Sequence, residues 1–209
     1  METSGANLEE SNEIEKDKVL LKRQWAFWEN YDSKKEKKEK DYSKLIKEIF
    51  EFKDIISFWQ FMNNYPGSDI KKIFFDGEFI RFFFKEKYRI IAMNIFQKGI
   101  RPEWEDKHNV KGNILTLAYT IDIGIDIFLK KAQELWIKLI CLLIGETLPF
   151  SHNINGIRFV DKTKNGFKPS IIFKFEIWVH NHMKDEELEE LKKYCSNIFK
   201  CNGTIKPIN

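Results

Sequence analysis

Thiols, histidines and long apolar runs are scarce in this chain. Three cysteines, Cys141, Cys195 and Cys201, occur in 209 residues, with no CxxC pair, and the four histidines form no ligand-like cluster. An odd count without a secretion signal reads as reduced, intracellular thiols rather than a disulfide framework. No metal and no cofactor is expected. The longest apolar segment, Leu139 to Gly145, is far too short to span a bilayer, and the opening METSGANLEESNEIEKDK holds no apolar run that could direct secretion. These absences point to a soluble protein of the cytoplasm, or also the nucleus, with no membrane contact. Net charge is only +3. That is too little to drive nonspecific duplex binding, so any nucleic-acid contact should be local, through a few lysines. Internal repeats, a Gly-rich phosphate loop and a nucleophile elbow are all missing.

What the chain has is aromatic mass. Hydrophobic residues make up 43% of it, with 19 Phe and 6 Trp, enough for one substantial core in a single domain. Residues 1–18 are polar and charge-mixed and read as a disordered tail. Residues 19–209 read as one domain.

The stretch that organises the rest is GIRPEWED, Gly99 to Asp106. Pro102 fixes its own φ and pushes Arg101 toward extended backbone, so this is a loop leaving a strand, not a helix. Trp104 beside Glu105 offers a flat π-face and two acceptor oxygens. Such a pair suits a flat, positively charged ligand that donates hydrogen bonds from its edge, a description that 7-methylguanine meets.

Around this loop the sequence alternates between strands and helices. Leu20 to Tyr31 reads as a strand with Trp25, Phe27 and Tyr31 on one parity and Trp28 breaking it, Trp25 and Trp28 being core residues. Asp32 to Lys40 is a solvated charge run leading to Tyr42. Asp54 is an N-cap for a helix that ends at Pro66-Gly67 and leaves Trp59 as a candidate exposed residue. The segment from Lys71 to Phe96 predicts three strands, turning at Asp76-Gly77 and at Lys85-Glu86-Lys87. Asn113 to Thr120 is the next strand. A long helix follows over Asp126 to Ile144, with Gly145 at C′ and Ile127, Leu135, Leu139, Leu142 and Leu143 on its buried face. Asn155 to Asp161 is a strand, and after it Lys162 and Lys164 are either a solvated hairpin tip or a basic pair on one side. In Ser170 to Val179, Lys174, Glu176 and Trp178 share one face. Asp185 to Phe199 is an amphipathic helix with acidic start and basic end. The fold class is α+β: a curved antiparallel sheet of about seven to eight strands with three helices on its convex face.

RQWAFW, SFWQFMNNY, GIRPEWED and ELWIKLICLLIGE, in this order and spacing, resemble the eukaryotic translation initiation factor 4E family, over about residues 20 to 200. The resemblance implies a non-enzymatic protein that binds the 7-methylguanosine cap of messenger RNA on the concave face and docks a partner on the convex helices. Tyr42 and Trp104 match the two stacking rings, Glu105 the carboxylate on the guanine edge, and Trp178 the methyl contact. Lys162, Lys164 and Lys174 match the phosphate lysines. Ile55, Trp59, Ile137, Lys138 and Cys141 match the groove for an amphipathic helix of an initiation factor 4G-like scaffold. Tyr42 stands where the main class has Trp, as in members that repress translation. Lys138 replaces a usual glutamate, and Ile114 replaces a common arginine near the phosphates. Most of the family's final strand is expected to be missing. The alternatives are a cap-binding repressor, or an interaction module with little cap affinity. An acid/base role for Glu105 with Asp106 is disfavoured, because adjacent carboxylates on an extended loop point apart.

Overall fold

In the computed structural model, residues 19–32, 42–65, 68–75, 80–83, 86–120, 124–163 and 171–208 are described. The expectations for the N-terminal tail, the charge run after Asp32, the Asp76-Gly77 turn and Lys164 lie outside them.

Eight strands form one curved antiparallel sheet. They are β1 (Leu20–Tyr31), β2 (Ile46–Asp54), β3 (Ile80–Phe83), β4 (Glu86–Gln97), β5 (Asn113–Thr120), β6 (Ile154–Asp161), β7 (Ile172–Val179) and β8 (Gly203–Pro207). The order across the sheet is β2-β1-β4-β6-β7-β5-β8, with β3 paired to β4 beside this path. Three α-helices pack on one side: α1 (Ile55–Asn64), α2 (Ile125–Ile144) and α3 (Asp185–Phe199). The expected fold class therefore holds.

Strand alternation divides the aromatic residues between two cores. Trp25, Phe27, Phe159, Phe175 and Ile177 face the helices, meeting Phe58 of α1, Trp136 of α2 and Leu191 of α3. Ala26, Trp28, Phe96 and Trp178 form a smaller cluster on the other, concave face. Trp28 thus keeps the alternation and covers the second face instead of breaking it. Gly156 permits this concave packing. A Cβ there would lie 2.4 Å from the Phe96 ring, which stands edge-on to Trp178 with centroids 5.5 Å apart.

Helix boundaries follow local chemistry. Asp54 caps α1, its Oδ1 accepting from the Ser57 amide at 2.7 Å. At the other end, the buried Glu29 of β1 accepts from the Tyr65 hydroxyl at 2.5 Å, tying that helix to the sheet.

Four expectations are corrected. Lys71–Phe75 is a π-helical turn, not a strand. The helical turn lets the neighbouring Ile73 and Phe74, both buried, join one and the same core, where strand alternation would send them to opposite faces. The buried face of α2 runs through Phe128, Leu129, Ala132, Trp136, Leu139, Ile140 and Leu143, while Ile127 is 57% exposed. At its end Gly145 keeps right-handed φ, and Glu146 takes the left-handed C′ position with φ 53°. The bonds from Glu146 N to Leu143 O and from Thr147 N to Leu142 O, both 3.0 Å, complete a Schellman motif. Glu146 also holds Arg23 at 2.8 Å. The final strand is present as β8, paired along β5.

Candidate functional site

The loop between β4 and β5 turns at Gly99, φ 86°, a conformation that glycine adopts without a Cβ penalty. Two polar side chains then hold it. Asn109, wholly buried, donates from Nδ2 to the carbonyls of Arg101 and Glu103, both at 2.8 Å, and accepts from Asn155 Nδ2 at 3.1 Å. Asp106 accepts from the amides of Arg101 and His108 and meets the His108 ring nitrogen, each at 2.9 Å. Burial pushes the Asp106 carboxyl up, but these bonds outweigh it and hold the group below the usual aspartate value. A fixed loop results, and at its apex Trp104 is 60% exposed with Glu105 beside it. Large aromatics mostly end up buried, so holding this one in water requires the support beneath it.

Trp104 and Glu105 border a cleft of about 380 Å³ on the concave face. Pro102, Glu103, Ile114 and Ile46 wall it, and Asn30, Arg158, Val160, Lys162 and Glu176 come up from the sheet. The sheet residues form a polar network. Asn94 donates to Asn30 Oδ1 at 2.7 Å and accepts from Arg158 Nε at 2.9 Å. Arg158 lies 3.3 Å from Glu176 Oε2, which also accepts from Trp178 Nε1 at 3.3 Å. Arg101 links the loop to the approach of β2. It binds Glu103 at 2.6 Å and Ser43 Oγ at 3.1 Å, with its guanidinium 5.4 Å from the Trp28 ring.

The predicted residues do not all meet. Trp104, Glu105 and the exposed Lys162 line the cleft. Tyr42 opens the turn Tyr42–Leu45, next to the anchored Ser43; its side chain is outside the described residues. Lys174 is half-buried on the same face of β7 as Glu176, outside the cleft lining. Trp178 is wholly buried, beneath Arg158 at 5.3 Å. Arg158, Glu176 and Asn30 were not singled out from the sequence as site residues. The one available signal was the charge placed mid-strand beside Trp178.

The second predicted set lies on the helix side. Trp59 is 36% exposed and stands edge-on to the buried Phe58, with Ile55 and Ile56 exposed next to it. On α2, Lys138 and Cys141 are exposed and Ile137 is partly buried. Among the described residues no three His, Cys, Asp or Glu side chains group as metal ligands, and no helix is long and apolar enough to cross a membrane.

Residues 20–206 match the family model described as eukaryotic initiation factor 4E. Eukaryotic translation initiation factor 4E-2 of Schizosaccharomyces pombe is 27% identical over 173 residues, 82% of this chain and 58% of that protein. Eukaryotic translation initiation factor 4E of Saccharomyces cerevisiae is 26% identical over 166 residues, 79% and 63% of the two. The chain thus spans about three-fifths of the length of these curated relatives. Its fold is similar to that of Ascaris suum eIF4E-3 with m7G cap (TM-score 0.65, 18% identity, 92% of each chain). Schistosome eIF4E complexed with m7GpppA and 4E-BP is similar to the same degree (TM-score 0.64, 18% identity, 92% of this chain and 89% of that one).

Proposed function

The chain belongs to the eukaryotic initiation factor 4E family, and we propose that it binds the 7-methylguanosine cap of messenger RNA in the concave cleft. The observation that carries this reading is the exposed Trp104, braced by Asp106 and Asn109 and flanked by Glu105 at the cleft edge. Methylation gives guanine a delocalised positive charge, so an electron-rich ring gains cation–π energy from it that plain guanine does not supply. Stacking one base on one ring is worth roughly 1–3 kcal/mol. Tyr42, beginning the turn that Arg101 ties to the loop, is the second ring. Glu105 accepts from the guanine edge, whereas adenine presents an acceptor there. Lys162 binds the phosphates, and Lys164 and Lys174 add positive charge, so affinity falls as salt rises. Trp178 supports the cleft floor from below.

The convex side is the partner surface. Trp59 with Ile55 on α1, and Ile137, Lys138 and Cys141 on α2, receive an amphipathic helix of a 4G-like scaffold. The protein works as a stoichiometric adaptor in the cytoplasm, not as an enzyme. Cap and 4E-BP complexes of structurally similar proteins support both surfaces.

Trp fluorescence titration with 7-methyl-GTP and GTP tests the cleft. Quenching that favours the methylated ligand and is lost in Trp104→Ala is expected. Equal response to both ligands, or undiminished binding by the variant, would refute it. Trp59→Ala should leave that titration unchanged while abolishing binding of a 4G-type helical peptide.

A further inference from the structure

We propose that Arg158 is an anion anchor in the cleft floor, exchanging its contact with Glu176 for the phosphate nearest the ribose. Glu176 then sets how strongly the site favours a phosphorylated ligand. The proposal rests on the nucleotide-cleft reading above.

Arg158 is held on three sides. Asn94 takes its Nε–H at 2.9 Å, Glu176 lies 3.3 Å from Nη1, and the Trp178 ring centre is 5.3 Å from the guanidinium carbon. Asn94 is itself fixed by bonds to Asn30 Oδ1 at 2.7 Å and to the Trp28 carbonyl at 3.3 Å. The second terminal nitrogen, Nη2, has no partner among the described residues. A planar guanidinium fixed in this way is prepared for an oxyanion, losing little freedom when it binds one.

The contact to Glu176 is suited to exchange. At 3.3 Å it is longer than the 2.7–2.9 Å of a strong charge-assisted bond. Glu176 also keeps the Trp178 indole N–H as donor when Arg158 turns to another acceptor.

Charge balance gives the reason for exchange. Three carboxylates line the cleft, Glu103, Glu105 and Glu176, against two cationic groups, Arg158 and Lys162. Arg101 engages Glu103, and the β5 wall offers only the apolar Ile114. Lys162 lies four residues beyond Arg158, one residue past the end of β6 and lining the same cleft, roughly 13 Å along the strand direction. Lys162 therefore suits the distal phosphates, and the first phosphate falls to Arg158.

Calorimetric titration of the full chain with 7-methylguanosine, its 5′-monophosphate and its triphosphate tests this. The monophosphate should bind about tenfold or more tightly than the nucleoside, the scale of one charge-assisted bond. Arg158→Gln should collapse that ratio, and Arg158→Lys should restore part of it. Lys162→Gln should instead reduce the step from monophosphate to triphosphate. Glu176→Gln, which frees Arg158, should raise the monophosphate-to-nucleoside ratio severalfold. A merely structural ion pair predicts the reverse for Glu176→Gln. An unchanged ratio in Arg158→Gln, or a lowered one in Glu176→Gln, overturns the proposal, and the second variant decides if the first fails to fold. Running guanosine, GMP and GTP in parallel separates the two readings. Loss of methyl preference refutes the cap, while the phosphate increment still judges Arg158.

Discussion

Asn109→Ala should uncouple the cap loop from the sheet. The side chain is wholly buried and makes three hydrogen bonds, to the carbonyls of Arg101 and Glu103 and from the amide of Asn155. At roughly 1 kcal/mol net per bond, removing all three costs about 3 kcal/mol, and more if water cannot reach the stranded carbonyls. For a chain of this size that is a fall in Tm of about 6–12 °C. The bonds flank Trp104 in sequence, so the loop must be reordered each time a ligand binds. Fixing one backbone residue costs about 1–2 kcal/mol, which weakens 7-methyl-GTP binding by roughly five- to thirtyfold for each residue reordered. Near-UV circular dichroism melts and a fluorescence titration measure the two effects. Trp104→Ala is the contrast: a mostly exposed ring whose loss should leave Tm nearly unchanged and abolish binding. An Asn109→Ala protein that melts with the parent, or melts early yet binds undiminished, would refute the claim that these bonds position Trp104.

Three further outcomes are expected. The depressed Asp106 carboxyl contributes stability that is complete above the ordinary aspartate value and is lost as pH falls through its lowered folded value; denaturant melts at pH 7, 4 and 3 should therefore show a shallower acid loss in Asp106→Asn. Burial, then the nearby Cys201, pushes Cys195 up to about 12, so native protein at pH 8 should leave this thiol unlabelled by a disulfide reagent until denaturant is added, while the exposed Cys141 reacts slowly. Glu146→Ala should destabilise by about 2–3 kcal/mol, because it leaves the mostly buried Arg23 charge without its carboxylate, only the carbonyls of Ser151 and Ile154 remaining as close acceptors; Glu146→Gly should lose roughly 1 kcal/mol less, since glycine tolerates the left-handed φ, and equal losses on chemical denaturation would count against that partition.

Features whose chemistry is local were legible in the sequence. Asp54 caps the helix it precedes, α3 runs from Asp185 to Phe199 behind the expected acidic first turn, although its last turn carries no basic residue, and Pro102 marks the loop that carries Trp104. Each depends on neighbours within a few residues. The face of α2 was not legible, because apolar residues occur on nearly all its sides and periodicity alone could not choose between Ile127 and Phe128. Packing chose: Phe128 stacks between Tyr119 and Phe173, at 4.9 and 5.3 Å. The turn at Lys71–Phe75 was hidden for a related reason, since a short apolar run fits a buried strand as well as a helical turn.

The cleft floor was the hardest part to read, and its construction explains why. Its polar network takes Asn30 from β1, Asn94 from β4, Arg158 from β6 and Glu176 from β7. These four meet only because three strand pairings hold one set of registers, with Arg158 opposite both Asn94 and Glu176. A slip of one residue in β6 would turn Phe159 to the concave face and send Arg158 into the helix-side core. Nothing in the segment INGIRFVD excludes that slip locally. What excludes it is packing at a distance: Phe159 stacks on Trp136 of α2 on one side of the sheet, and Gly156 passes beneath Phe96 on the other. A substitution that weakens either contact should therefore disturb the Arg158–Glu176 pair before it disturbs the Trp104 loop, whose own hydrogen bonds hold it from within.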